Sequence, residues 1–242
     1  INYHLAMKEQ MVINKQDRLA ILTKLAYFAR GKKVVVAHMI QITEPLTDEK
    51  CVLLSMFYTA YFTYFVGLMD YLEEHQFFSH NQLIYFFENK NNYNYIRNLR
   101  NNLVHRAEEV SDKLVVQKNI LIPRSPKCVA NQSGKDVFCS FTDNLLQLVN
   151  KCETFNQHLL SFIKNNNLLD YMPFFQCKDD FINEHKNDPY IPEEDKIKIL
   201  SNIENLWHEY ESTQESRKQD NIERILSYFN TDDLRIKAFG VQ

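Results

Sequence analysis

Apolar residues recur along most of the chain at the three- and four-residue spacing of amphipathic α-helices. Leu19, Leu22 and Leu25 give such an apolar face to the first helix, which we predict over residues 2–30. Gly31 follows directly and is a residue type that often ends helices. The pattern therefore predicts an opening helix that stops at Gly31.

A long second helix is predicted to begin after Thr47, whose side chain can cap the first turn, and to reach about residue 75. Residues 51–69 carry no formal charge, which is close to the ~20 residues needed to cross a bilayer. Several hydroxyl side chains dilute this run, and Lys50 is its only basic flank, so we interpret it as the central helix of a soluble bundle. Small residues recur every four positions and predict close approach of a neighbouring helix: Cys51, Ser55, Thr59, Thr63 and Gly67.

The middle of the chain predicts short elements. An aromatic helix over residues 82–88 leads through an Asn-rich turn at residues 89–94 into a further helix. Short β-prone runs separated by proline and Ser-Gly then predict a small hairpin-like insertion at about residues 113–141.

The last part of the chain returns to helical spacing. Thr142 and Asp143 are predicted to cap a helix with a wide apolar stripe that completes a bundle near residue 167. We assign residues 1–167 to this bundle and residues 168–242 to a helical appendage, with helices over residues 193–210 and 219–229. Its apolar positions could pack on the bundle or on another subunit.

Composition supports a mainly α fold, because four glycines and six prolines in 242 residues leave little turn chemistry for an all-β protein. The formal charge of −3 gives no overall attraction to nucleic acid, so any RNA contact requires a local basic patch. Five widely spaced cysteines without zinc-ligand spacing are typical of reduced thiols in a cytoplasmic protein. Because the sequence opens with Ile1 and not Met, we expect its natural start to be missing.

The greatest chemical content lies between residues 97 and 106, in the predicted helix before the insertion. Arg97, Arg100 and Arg106 form the local basic patch. Asn101 and His105 are four residues apart, so they share one stripe of the helix, opposite a predicted core face. That core face consists of Ile96, Leu99, Leu103, Ala107 and Val110. The polar groups are therefore expected to project towards water or towards a second copy of the helix.

These side chains suit cleavage of RNA by its own 2′-hydroxyl. His105 titrates near neutrality and is the natural general acid or base. Arg100 keeps its charge and can donate two hydrogen bonds to phosphate oxygens, and Asn101 could orient His105 or bind phosphate. The same residues could instead form a solvated surface or a dimer interface. We assign further RNA contacts to Arg97, Arg106 and Asn102.

The segment Arg100-Asn101-Asn102-Leu103-Val104-His105 resembles the HEPN superfamily, whose hallmark is Arg, a polar residue, three or more further residues and His on a late helix of a small bundle. The resemblance covers about residues 48–167. It implies a homodimer with a composite site and, in many members, a metal-independent endoribonuclease of toxin–antitoxin or antiviral systems. Arg100 and His105 would then be catalytic, with Asn101 in support. Other members are non-catalytic binding or regulatory modules.

Further partners follow from the same resemblance: an RNA substrate and an antitoxin or regulatory protein. We expect no membrane association, no cofactor and no metal. Glu204 and His208 are four residues apart and could share a metal ion, but two ligands do not make a site.

Overall fold

The computed structural model describes residues 13, 15–105, 113–170 and 177–230, which are mainly α-helical. The helices are α1 Lys15–Met39, α2 Asp48–Glu74, α3 His80–Phe86, α4 Lys90–His105, α5 Leu145–Glu153, α6 Asn156–Asn165, α7 Lys178–Asn187, α8 Glu193–Ser201 and α9 Ile203–Phe229. Between α4 and α5 lie the strands β1 Leu114–Gln117, β2 Ile120–Pro123, β3 Cys128–Ala130 and β4 Val137–Cys139. The predicted mainly α fold with a small hairpin insertion is confirmed.

The prediction that the first helix ends at Gly31 is wrong, because α1 continues through Gly31 to Met39. The reason is the packing of α1 on α2: a Cβ atom at Gly31 would lie 2.6 Å from Cε1 of Tyr64. On α2, Gly67 likewise makes room for a side chain of α1, since a Cβ atom at Gly67 would lie 3.0 Å from Cε1 of Phe28. Both glycines therefore serve close helix approach. Of the predicted small-residue stripe on α2, Cys51 and Thr63 are exposed and take no part in such a contact.

Helix α2 forms the centre of the core. Its buried side chains include several large aromatic residues: Tyr58, Tyr61, Phe62 and Phe65. Among the described residues, α2 is also the helix whose length and composition would allow it to cross a membrane, and 39% of its most apolar window is buried inside the bundle.

Local capping sets where the next helices begin. Thr47 caps α2 as predicted, since its side chain accepts a hydrogen bond from the backbone N–H of Lys50. Ser79 forms a capping box with Gln82, so α3 begins at His80 and not at residue 82. The prediction of a turn over the Asn-rich residues 89–94 is wrong, because α4 already begins at Lys90. The Asn89 side chain accepts a hydrogen bond from the N–H of Asn92 at 2.9 Å in the first turn of this helix.

The insertion consists of two antiparallel hairpins, β1–β2 and β3–β4. The first is joined to the segment that follows α1 by a hydrogen bond of 2.9 Å from the N–H of Leu121 to the carbonyl of Ile42. The second lies on α4, close to the Tyr95 hydroxyl, which donates to the carbonyl of Pro126 at 2.7 Å. The insertion is therefore packed on the bundle at both hairpins.

The predicted helix after the insertion is divided into α5 and α6. Its cap is Asn144 and not Thr142 or Asp143, because the Asn144 side chain accepts from the N–H of Gln147 at 2.9 Å. On either side of the break, Glu153 and Asn156 both accept a hydrogen bond from the ammonium group of Lys32.

The appendage is helical, with different bounds from those predicted: one helix breaks at Asn202, and α9 continues from Ile203 to Phe229 without the predicted interruption. The end of α9 packs on the bundle. Phe229 is 2% exposed and its carbonyl accepts from Asn156 Nδ2 at 3.2 Å. Lys33 Nζ donates to the carbonyl of Ser227 at 2.6 Å.

Candidate functional site

Helix α4 carries the predicted site and turns its apolar face into the core. Ile96, Leu99 and Leu103 are buried, as predicted. The other two predicted core positions, Ala107 and Val110, lie outside the described residues. Burial of this face fixes the rotation of α4, and with it the direction in which Arg97 and Arg100 extend.

Arg97 lies against the last turns of α2 and not in open solvent. Its Nη2 is 2.5 Å from Asp70 Oδ1, and its Nη1 is 3.3 Å from Glu73 Oε2. The same Nη1 donates to the Tyr93 hydroxyl at 2.6 Å, and that hydroxyl donates to Glu73 Oε2 at 3.0 Å. Arg97 is thus bound by two carboxylates and a tyrosine.

Protonation states in this cluster follow from burial and charge. Burial raises the pKa of Tyr93 to about 12, so its hydroxyl keeps its proton at neutral pH. Burial alone would lower the pKa of Arg97, but Tyr93 and the carboxylates of Asp70 and Glu73 outweigh that effect and raise it. Arg97 is therefore a permanent cation whose charge is locally compensated.

Arg100 is held more loosely. Its Nη1 donates to the side-chain oxygen of Asn101 at 2.9 Å, and its Nη2 is 3.5 Å from Asp70 Oδ2. The third nitrogen, Nε, is buried and makes no hydrogen bond within the described part of the chain. A buried donor without a partner costs about 1–3 kcal/mol, and such groups are rare in folded proteins. Arg100 therefore keeps hydrogen-bonding capacity that the described protein atoms do not use.

Of the remaining predicted site residues, Asn101 and Asn102 lie within the described part of the structure. His105 is the last residue of α4, but its side chain lies outside the described part of the structure, as does all of Arg106. Asn101 is half-buried beside Arg100. Asn102 is 4% exposed, so in this conformation its side chain is turned away from solvent, and its contact with RNA stays a prediction.

Sequence reasoning missed Asp70 and Glu73. Arg97 and Arg100 do not extend freely from α4, because Arg97 packs against both of these carboxylates of α2 and Arg100 Nη2 lies 3.5 Å from Asp70 Oδ2. A signal was present: two acids three residues apart at the end of a long apolar helix share one face and need a partner when that face is covered. Their partner could not be named without the packing of α2 on α4.

A second polar surface lies between the two hairpins and the start of α5. Lys113, Arg124 and Lys127 line a groove there together with the hydroxyls of Ser125 and Thr142. In the part of the chain that the structure describes, Arg124 and Lys127 form no ion pair, in contrast to Arg97. This groove offers cations and hydroxyl donors of the kind that bind phosphate.

The pair Glu204 and His208 does not form a metal site in the described chain. The Glu204 carboxylate forms an ion pair with Lys178. Within residues 13, 15–105, 113–170 and 177–230, no group of three or more His, Cys, Asp or Glu side chains is placed to hold a metal ion.

Comparison of the chain with known protein-family models, with curated proteins and with solved structures gives no match. The functional assignment therefore depends on the motif of α4 and on the surroundings of Arg100.

Proposed function

We propose that this protein is a metal-independent endoribonuclease of the HEPN type, a toxin or antiviral-defence effector that cuts RNA by attack of a 2′-hydroxyl. The observation that carries the proposal is the state of Arg100. Its Nε is buried without a partner among the described residues, and its Nη2 is only loosely paired with Asp70 at 3.5 Å. A guanidinium binds a phosphate in a two-bond geometry, and the Asp70 carboxylate at this distance leaves room for such a ligand.

The proposed roles follow from the chemistry of each side chain. The 2′-oxygen of the substrate attacks the neighbouring phosphorus, the bond to the 5′-oxygen breaks, and the products carry a 2′,3′-cyclic phosphate and a 5′-hydroxyl. His105 transfers protons between these oxygens, because imidazole exists in both forms near neutral pH. Arg100 binds the phosphate as its negative charge spreads in the transition state. Asn101, which already accepts from Arg100, orients the guanidinium.

Arg97 supports the position of Arg100 through the Asp70 carboxylate, which both arginines contact. Its guanidinium pairs with Asp70 Oδ1, which leaves Oδ2 for the looser contact with Arg100. Asp70 is therefore a positioning residue that holds the Arg100 guanidinium near the end of α2 in the absence of RNA. Arg124 and Lys127, which form no ion pair with the described residues, are proposed to bind more distant phosphates of the same RNA.

The proposed protein is a cytoplasmic homodimer whose two α4 helices face each other, so that each copy contributes an Arg and a His to the cleft. An antitoxin or regulatory protein is the proposed further partner. The burial of large side chains of α2 inside the bundle supports a protein that works without a membrane.

The test combines growth of bacterial cells with cleavage by the purified protein. Induction of the wild type is expected to stop growth and fragment cellular RNA, whereas His105→Ala and Arg100→Ala are expected to do neither. His208→Ala is the matched control, because His208 is an exposed histidine on α9. With purified protein, cleavage is expected to persist in EDTA and to stop when the nucleotide at the cut carries a 2′-deoxyribose.

A second candidate function is a non-catalytic binding or regulatory module, and the ion pairs of Arg97 favour it. Both its Nη atoms already contact carboxylates, as expected for a structural arginine. This candidate predicts that His105→Ala and wild type act alike in cells, while both proteins are folded and soluble. That result would refute the ribonuclease proposal.

A further inference from the structure

Two cysteines of the insertion face each other across the second hairpin. Cys128 in β3 is directly opposite Cys139 in β4, and their Sγ atoms are 3.4 Å apart. Both residues are exposed, and both thiols are free. The chain holds five cysteines spread over its length, so this pairing is a product of the hairpin register.

The register places this pair at a site where a disulfide fits. The flanking backbone hydrogen bonds run from Ser140 N–H to the Lys127 carbonyl and from Asn131 N–H to the Asp136 carbonyl, each 2.9 Å. Bonded and non-bonded pairs alternate in an antiparallel ladder, so Cys128 and Cys139 occupy a non-hydrogen-bonded pair. Cα atoms are about 4.5 Å apart at such positions, within the range of about 4.4–6.8 Å that disulfides span.

Helix α4 holds this geometry in place. The side chain of Asn91 donates to the carbonyl of Cys139 at 2.9 Å and accepts from its N–H at 3.1 Å. These backbone groups point away from Cys128, as the non-bonded position requires. The strand that carries Cys139 is thus fixed against the bundle, and the two thiols are prearranged to react with each other.

We propose that Cys128 and Cys139 are a peroxide-sensitive dithiol that oxidises reversibly to a disulfide. The thiolate of one cysteine attacks one oxygen of hydrogen peroxide and becomes a sulfenic acid as the O–O bond breaks and water leaves. The sulfur of the other cysteine then attacks that sulfur and releases a second water. Two thiols and one peroxide thereby give one disulfide and two waters.

The hydrogen bond with Cys139 raises the pKa of Cys128, and the 3.4 Å contact places the second sulfur within reach of a sulfenic acid formed on the first. In a reducing compartment an exposed disulfide of this kind is transient, since cellular dithiols return it to the reduced form.

The test is peptide mapping of the full-length protein after a brief treatment with one equivalent of hydrogen peroxide and alkylation of the remaining thiols. Trypsin cuts after Lys127, Lys135 and Lys151, so the two cysteines fall on separate peptides, residues 128–135 and 136–151. The expected product is this peptide pair joined by a disulfide, with a mass two hydrogens below the sum of the two. Dithiothreitol is expected to separate it.

Two variants make the outcome decisive. Cys139→Ser is expected to abolish the joined peptides, and Cys177→Ser, which removes another exposed thiol, is expected to leave their yield unchanged. The proposal is overturned when peroxide leaves both peptides singly alkylated, converts the cysteines to sulfinic acids, or joins them mainly to Cys51, to Cys177 or to a second molecule.

Discussion

The buried ion pair of Lys32 with Glu153 should be among the most sensitive points of the bundle. Lys32 has no exposed surface, and its ammonium lies 2.9 Å from Glu153 Oε1 and 2.9 Å from Asn156 Oδ1. The carboxylate also accepts from the Tyr61 hydroxyl at 2.7 Å and from Asn156 Nδ2 at 2.8 Å. The network therefore joins α1, α2, α5 and α6 in one place.

Replacing Lys32 by Met keeps most of the side-chain volume but removes the charge. Glu153 would keep two neutral donors and lose its cation, which leaves a buried carboxylate uncompensated. Removal of one partner from a buried pair costs about 3–5 kcal/mol. For a protein of this size 1 kcal/mol shifts Tm by roughly 2–4 °C, so Lys32→Met should lower Tm by about 6–20 °C.

The double variant Lys32→Met with Glu153→Gln separates charge from packing. Because the glutamine side chain is neutral, the cost of the uncompensated charge disappears, and we expect the double variant to be about 2 kcal/mol more stable than the sum of the single effects predicts. Lys33→Met is the matched control, since this neighbouring lysine donates to the Ser227 carbonyl at the surface and its loss should cost less than about 1 kcal/mol.

The assay is urea and thermal unfolding followed by two signals. Far-ultraviolet circular dichroism reports on all helices, and the fluorescence of Trp207, the single tryptophan, reports on the appendage. Coincident transitions would show that the appendage unfolds together with the bundle. The reasoning is refuted if Lys32→Met costs no more than Lys33→Met, or if the two single effects simply add in the double variant.

Three further predictions concern packing, pH and RNA. Gly31→Ala should lower the free energy of unfolding by about 1–2 kcal/mol in spite of the better helix propensity of Ala, because the new Cβ meets the Tyr64 ring at 2.6 Å. In a Tyr64→Ala background, where that ring is absent, Gly31→Ala should stabilise the protein. Burial lowers the pKa of His158, so the unfolded chain binds a proton at a higher pH than the folded protein does, and stability should fall as the pH drops below about 6.5. The Tm of His158→Gln should therefore fall less between pH 7.5 and pH 5 than the Tm of the wild type. An equal fall in Tm would contradict this reasoning. Under the proposed function, Arg124→Ala and Lys127→Ala should each reduce the slope of log affinity for single-stranded RNA against log salt by about 0.7 in fluorescence anisotropy, and unchanged slopes would exclude the groove as a phosphate contact.

Much of the helical organisation could be predicted from local chemistry. Thr47 caps α2 because its hydroxyl satisfies a free N–H of the first turn, which requires only neighbouring residues. The core face of α4 was likewise predicted from the spacing of Ile96, Leu99 and Leu103, since one side of a helix must leave water. Such features depend on residues within a few positions of each other.

The predictions that failed depend on residues distant in sequence. Gly31 looks like a helix end until Tyr64 is placed against it, and a helix then continues through a residue that serves close packing. The cap of α5 is Asn144, one or two residues after the predicted caps. Ser140, Thr142 and Asp143 also carry side-chain oxygens that can accept from a backbone N–H, and the path of the backbone after the hairpins decides which residue caps the helix.

The candidate site divides in the same way. The sequence by itself determined which groups α4 carries, because the order of Arg100, Asn101 and His105 is a covalent fact with its own chemistry. Only the tertiary structure decided that Asp70 and Glu73 compensate Arg97, that Arg100 keeps a buried donor unused by the described residues, and that two cysteines meet across a hairpin. The physical reason is that charge compensation, burial and sulfur contacts depend on distances through space, which a pattern of residues along the chain does not contain.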